Sequence, residues 1–395
     1  MTASALAFGY FAVVVMVGLF EGMIADMINN GTGLVMGQIQ VHSPDYLSDR
    51  SIYATMGEAE GDVAALISEI EEDPAIIAAA PRVFGGGLAS SGTSTFPAIL
   101  LGIDPEREPL VSRIANVSSG RLPRAGAYEV VAGAELMRRL NVSLGSELVL
   151  VAPAADGSLG NDLFTIVGQF NSGIPEIDGS YVLMAIDDLQ VMLALAPGRI
   201  HEVVAHIDDP WDAPPTAARL EESLREVSIS VSVEPWTSLR PELVDYAKLA
   251  AGSQWILIVI VFSMAVFGVA NTMIMATFER RHEFALLLAL GAAPSGIVRS
   301  VVAEAVSLGL VSLAGAVAVT VPTLIWLHYS PLDLTSIFGG FSMVGTFVNP
   351  VFRAEYPWGT MLGSAVALFM TALVSALYPA IRAANVSPAT TLADR

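Results

Sequence analysis

The chain has 395 residues, 53% hydrophobic and only 15% charged, with a mean hydropathy of +0.60. This balance excludes an ordinary soluble globular protein and marks a membrane protein. The net charge of −20 is concentrated in residues 21–248, which hold 13 basic and 33 acidic side chains against 6 of each elsewhere, so that block has no affinity for nucleic acid or an anionic membrane surface.

Residues 1–20 are uncharged and reach the roughly 20 apolar residues that cross a bilayer. With no basic n-region and a run longer than a signal-peptide core, they read as an anchor, a first transmembrane helix over 1–28, rather than a cleaved leader. The missing basic flank leads to the expectation of a native start further upstream.

Residues 29–245 carry an α+β pattern. GQIQVH at 37–42 alternates like a strand, and Val63, Leu66, Ile67 and Ile70 recur at helical spacing. Strands are expected at 76–83 and 96–103 on either side of the turn-rich GGGLASSGTS, then at 129–132, 147–151, 164–168, 181–184 and 202–207. A helix begins at Pro214 and Pro215, with Leu220, Leu224 and Val227 on one face. Helices cluster at the two ends of the block and strands in its middle. That order predicts a membrane-proximal α+β part from 34–105 and 181–240, with a β-rich insertion at about 106–180.

Three more uncharged windows, 249–278, 305–327 and 357–381, predict transmembrane helices over 246–278, 296–327 and 357–382. Arg280, Arg281 and Arg299 flank the connection between the second and third, and Arg382 and Arg395 follow the fourth. The positive-inside rule puts those sides in the cytoplasm, with the acidic domain and the loop 328–356 outside and a cytoplasmic tail over 383–395. The fold class is therefore a four-helix membrane protein with a large α+β extracytoplasmic domain between its first and second helices. GLVSLAGAVAV at 309–319 lets helices approach closely, and Asn271 suits an interhelical hydrogen bond. Glu304, one turn beyond Arg299, reads as an ion-paired interfacial group.

Catalytic motifs are missing. There is no GxxxxGK[ST] phosphate loop, and Lys248 is the only lysine, so the chain does not bind ATP in that way. GxSxG and HExxH are also absent. His201 and His206 fall on opposite faces of a strand and cannot converge on a metal. No catalytic residue, cofactor or metal is expected in this subunit.

One stretch, ATFERRHEFALLLALGAA at 276–293, resists the pattern, because a charged cluster interrupts two apolar runs. A cytoplasmic helix over 279–295, presenting Phe284, Leu287, Leu288 and Ala292 on one face and ended by Gly291, could dock in a groove of a soluble partner. A re-entry loop carrying positive-inside charges fits the pattern equally well, and both readings stand.

Residues 279–316 resemble the signature of the FtsX/MacB-type ABC transporter permeases, with its E-R-R-x-E-[FI], L-x-A-L-G-A and E-A elements. LYPAIRAANVSPATTLADR at 377–395 is similar to that family's closing Y-P-A-x-R-A-A-x-x-x-P motif. GQIQVHSPDYL at 37–47, LLGIDPERE at 100–108 and IVGQFNSGIPEIDGSYVLM at 166–184 resemble the lipoprotein-releasing LolC/LolE branch. The resemblance implies a MacB-like periplasmic core in the bacterial inner membrane and a second permease, identical or paralogous. It also implies a cytoplasmic ABC ATPase dimer that binds ATP and Mg and clamps Glu279, Arg280, Arg281, Glu283, Phe284, Leu287, Leu288, Gly291 and Ala292. In that branch a lipoprotein's acyl chains sit between the first and second spans, here beside Phe8, Phe11, Phe262 and Phe267, and ATP-driven mechanotransmission delivers the lipoprotein to a periplasmic carrier. MacB-like export of a periplasmic peptide or amphiphile, and FtsX-like regulation of an envelope hydrolase, are the alternatives.

Overall fold

The computed structural model describes residues 2–57, 62–92, 94–226, 230–338, 341–343, 346–348, 350–387 and 391; Val227 and Arg395 lie outside them. In chain order the elements are α1 (Thr2–Gly31), a π turn (Thr32–Met36), β1 (Ile39–His42), α2 (Tyr46–Asp49), α3 (Asp62–Glu71), β2 (Ile76–Ser91), β3 (Ser94–Ile103), α4 (Glu108–Val111), β4 (Val117–Gly120) and β5 (Glu129–Gly133). Then come α5 (Ala134–Leu140), β6 (Glu147–Pro153), β7 (Leu159–Phe170), α6 (Pro175–Asp178), β8 (Tyr181–Ala185), α7 (Ile186–Met192), β9 (Glu202–Ile207), α8 (Ala213–Glu226), β10 (Ser232–Pro235) and α9 (Trp236–Leu239). The remainder comprises α10 (Pro241–Glu279), α11 (Arg281–Ala289), α12 (Pro294–Tyr329), β11 (Leu332–Asp333), α13 (Thr335–Phe338), β12 (Phe341–Met343), β13 (Thr346–Val348), β14 (Val351–Phe352) and α14 (Trp358–Ala384). The chain divides into two units: Met1–Ala25, Tyr246–Gly339 and Pro350–Arg395 form one, and Asp26–Asp245 with Gly340–Asn349 the other.

The first unit contains the four helices that are long and apolar enough to cross a membrane. The 39 residues of α10 make it about 58 Å long, roughly twice the hydrocarbon thickness. It starts earlier than the sequence suggests because Pro241 suits a first helical turn. α12 and α14 pack along small residues: Ala305, Gly309, Ser312 and Ala316 of α12 are buried, as are Ala372, Ala376 and Ala380 of α14. A Cβ on Gly309 would stand 3.3 Å from that of Ala372, so the backbones approach as closely as side chains allow. Ser375 ties α14 to α10 by donating to the Val266 carbonyl at 3.1 Å. Leu6, Tyr10, Val13, Val14 and Val17 of α1 enter the same apolar cluster. At Gly18 the Glu355 N–H donates to the helix carbonyl at 2.9 Å, and the Glu355 carbonyl would lie 2.8 Å from any added Cβ. Asn271, expected to bond between helices, is exposed on α10, and its side chain makes no hydrogen bond among the described residues.

The second unit is built on one ten-stranded sheet in the order β10-β1-β9-β2-β3-β8-β5-β7-β4, with β6 pairing both β2 and β7. The glycine-rich segment expected to be a loop is strand: β2 runs for 16 residues and pairs with β3 as far as Ser91 and Ser94. Its glycines admit a neighbouring strand, since a Cβ at Gly87 would strike the Val151 carbonyl on β6. β5 pairs with β8, and β6 with β2, so the β-rich stretch at 106–180 shares one sheet with the strands that flank it in sequence. His201 is structural: its Nδ1 accepts from the Phe84 N–H at 3.0 Å, which leaves Nε2–H to donate to the Ile52 carbonyl at 3.2 Å. Burial holds its pKa below the ordinary value.

At the centre lies a charge cluster inaccessible to water. Arg82 on β2 donates to Glu108 of α4 through Nε at 3.1 Å and Nη2 at 2.5 Å. It also donates to Glu202 of β9 at 3.2 Å and to the Val35 carbonyl in the π turn. The Ser112 hydroxyl donates to Glu108 at 2.5 Å. The side chains of Arg82, Glu108 and Glu202 are 0%, 0% and 4% exposed. One guanidinium faces two carboxylates, and Glu108 takes both parallel donors. Burial therefore dominates at Glu202 and pushes its carboxyl up to about 6.

Two predictions follow from these packings. Gly309→Leu overfills the seam between α12 and α14 and should cost about 1–3 kcal/mol, read as a lowered thermal midpoint of the detergent-solubilised protein; an unchanged midpoint means that the helices do not touch there. At Glu202 the folded state binds its proton more tightly than the unfolded chain, so stability is lost as pH rises from about 4.5 to 6. Glu202→Gln should remove that slope and gain about 2 kcal/mol at pH 7, whereas Glu108→Gln should lose roughly 3–5 kcal/mol by leaving Arg82 under-compensated. Unfolding curves at both pH values check the pair, and a Glu202→Gln variant weaker than wild type at pH 7 contradicts the assignment.

Candidate functional site

The uncharged run of α10 ends at Glu279, and the helix breaks at Arg280, whose φ of −93° and ψ of 14° are not helical. α11 then runs for nine residues, Arg281–Ala289, shorter than the 279–295 expected. Gly291 closes it in the left-handed region at φ +94°, where only glycine is unstrained. Pro294 restarts the chain at the first turn of α12. Gly291 and Ala292 therefore sit in the turn rather than on the helix, and both are exposed.

Arg280 holds this corner together. Its Nε donates to Glu283 at 3.1 Å, its Nη1 donates to Glu304 of α12 at 2.8 Å, and its guanidinium lies 5.3 Å from the centre of the Phe284 ring. The ion pair for Glu304 is thus made with Arg280 and not with Arg299. Five helical residues turn by about 500°, which points Arg299 and Glu304 some 140° apart.

The face read from the sequence divides. Phe284 is 3% and Ala285 0% exposed, both buried against the helices, and Leu288 is half-buried on the same cluster. Leu287 points outward at 47% exposure, beside Leu286 at 53% and Leu290 at 77%. Glu279, Arg281, His282 and Glu283 surround these leucines and are exposed. Leu286 and Leu290 belong to the outward set that the sequence reading omitted. Their i, i+4 spacing carried the signal, but it was indistinguishable from that of the buried side.

The four phenylalanines also separate. Phe8 and Phe267 are exposed, and Phe8 lies 6.4 Å from Phe11 between ring centres. Phe262 turns into the bundle and is buried among Leu6, Tyr10 and their neighbours, so it lines no outward face.

The MacB-like periplasmic core domain family matches residues 1–223, and the FtsX-like permease C-terminal family matches residues 255–388. The chain belongs to the FtsX/MacB-type ABC transporter permeases. This permease is 26% identical over 376 residues to the lipoprotein-releasing system transmembrane protein LolC of Xylella fastidiosa, covering 91% of this chain and 88% of that one. It is 23% identical over 346 residues to the lipoprotein-releasing system transmembrane protein LolE of Haemophilus influenzae, covering 83% and 80%. The periplasmic region of MacB from Actinobacillus actinomycetemcomitans aligns with 53% of this chain and 94% of its own at 13% identity and a TM-score of 0.38.

Proposed function

We propose that this permease extracts lipoproteins from the bacterial inner membrane and passes them to a periplasmic carrier, driven by a separate cytoplasmic ABC ATPase dimer that binds ATP and Mg. The observation that carries the reading is the corner at residues 279–292. It is an anchored helix with an outward leucine surface, on a chain whose relatives, named for lipoprotein release, align along most of its length.

The anchoring matters to the mechanism. Phe284 and Leu288 root α11 in the bundle, and Arg280 joins it to α12 through Glu304. A pull on Leu286, Leu287 and Leu290 therefore moves α10 and α12 instead of unravelling a loop. α10 continues without a break from Glu279 to Pro241, so displacement at its cytoplasmic end reaches the start of the outer domain. This is mechanotransmission, in which ATPase closure is converted into movement of the outer domains with no solute channel. The substrate's acyl chains lie against the first and second spans of paired permeases, on surfaces that include Phe8, Phe11 and Phe267. Phe262 supports that wall from inside.

Leu287→Asp leaves the buried side of α11 untouched and places a charge in the docking surface, so it should weaken ATPase capture by about tenfold or more while membrane insertion is unchanged. Co-purification with the ATPase measures this, and wild-type capture would move docking off this surface. Substrate is tested by native mass spectrometry of the permease co-expressed with its ATPase and purified without nucleotide. A bound triacylated lipoprotein that departs on ATP addition is expected, and an empty complex with the ATPase attached transfers the reading to MacB-like export.

A further inference from the structure

Between the ends of α10 and α14 lies a cleft of about 320 Å³, walled by Phe278, Pro379 and Val386 and carrying the side chains of Arg281 and Arg382. No acidic residue lines it among the described residues. Arg280, next in sequence, is neutralised by Glu283 and Glu304, whereas Arg281 and Arg382 form no ion pair among the described residues. Arg382 is held in place: its guanidinium lies 5.0 Å from the Phe278 ring centre, and its Nη1 donates to the Tyr378 hydroxyl at 2.9 Å. Stacking leaves the remaining donors of the guanidinium fork free for a planar or tetrahedral oxyanion.

The surroundings identify the carrier of that anion. Arg281 and Arg382 stand at the ends of two apolar spans, where the uncharged stretches of α10 and α14 stop. Phe278, which lines the cleft, is 49% exposed, and Met275, Tyr378 and Ile381, adjacent in sequence to lining residues of α10 and α14, are 65%, 57% and 50% exposed. A soluble anion would use the arginines and leave these apolar flanks wet. A molecule with a phosphate head and hydrocarbon tails covers both. We propose that this cleft binds the headgroup of an anionic membrane phospholipid, its phosphate held by Arg281 and Arg382 and its acyl chains laid along α10 and α14. Basic recesses between spans on the cytoplasmic side suit such headgroups. The inference goes beyond the proposed function and shares with it only the reading that these helices cross a membrane.

The test uses the full-length permease in detergent without its ATPase, incubated with equimolar phosphatidylglycerol and phosphatidylcholine, with retained lipid read by native mass spectrometry. At about fivefold per arginine near the surface, the wild type should favour phosphatidylglycerol by roughly 30-fold. Arg382→Gln and Arg281→Gln should each lower that preference about fivefold, and the double variant should abolish it. Arg299→Gln, exposed and outside the cleft, should leave it unchanged. Thermal midpoints check that each variant is folded, and Arg281→Gln, an exposed side chain, reads the site even if Arg382→Gln fails that check. Equal retention of the two lipids, or a preference that survives in the single and double variants, overturns the proposal. Displacement of the lipid by excess inorganic phosphate assigns the site to a small anion and overturns it too. Unchanged lipid preference in variants that lose ATPase capture in a separate co-purification assigns the arginines to the ATPase and overturns the proposal. None of these readouts depends on lipoprotein release.

Discussion

Arg82 is a full positive charge with no contact with water, and the outer unit is arranged to satisfy it. Glu108 comes from α4, Glu202 from the start of β9, and the third acceptor is the Val35 carbonyl in the turn through which the chain enters the sheet. Moving any of these elements would strand a charge in a medium where an uncompensated ion costs several kcal/mol. The cluster therefore sets the mutual placement of β2, β9, α4 and the entry turn more strictly than apolar packing would, because hydrophobic contact has no direction and hydrogen bonds do. It holds one more carboxylate than it can neutralise, which is why Glu202 carries the raised pKa.

The helical unit meets the opposite requirement. With lipid on its outer surface, burial supplies little preference for one helix pairing over another, and close fit decides. Gly309 against Ala372 and the glycine contact of α1 at Gly18 show the same solution, small residues where backbones touch. Among the described residues, the ion pairs of this unit gather at one corner, where Arg280 meets Glu283, Glu304 and the Phe284 ring. That corner joins the two roles of the chain. It terminates a span, and it fixes a short helix against the bundle.

Much of this was legible in the amino-acid order. Uncharged runs located all four long helices, the alternation in residues 37–42 located β1, the strand reading at 202–207 located β9, and the charge imbalance located the outer domain. Those signals are local, arising from hydropathy over one span or periodicity over one strand, and they survive without knowledge of neighbours. The glycine run in β2 misled because glycine marks a turn and a close strand approach with the same letter, and only the position of β6 distinguishes them. Sequence order does not disclose which strands pair, so the single sheet shared by the strands of residues 106–180 and their neighbours was not legible.

The site shows the same division. The charged interruption at 279–283, Gly291 and Pro294 announced a short helix between two spans, since each acts on the backbone at its own position. Which leucines face outward depended on where the bundle lies, so Phe284 and Leu288 went inward and Leu286 and Leu290 outward. Glu304 found Arg280 across a helix corner instead of Arg299 along its own helix, and Arg82 found two acids 26 and 120 residues away. Sequence by itself determined the membrane class, the order of elements and the break between α10 and α11, because those follow from local chemistry. Tertiary structure alone decided which charges pair and which faces remain exposed, because both depend on distances between residues far apart in the chain.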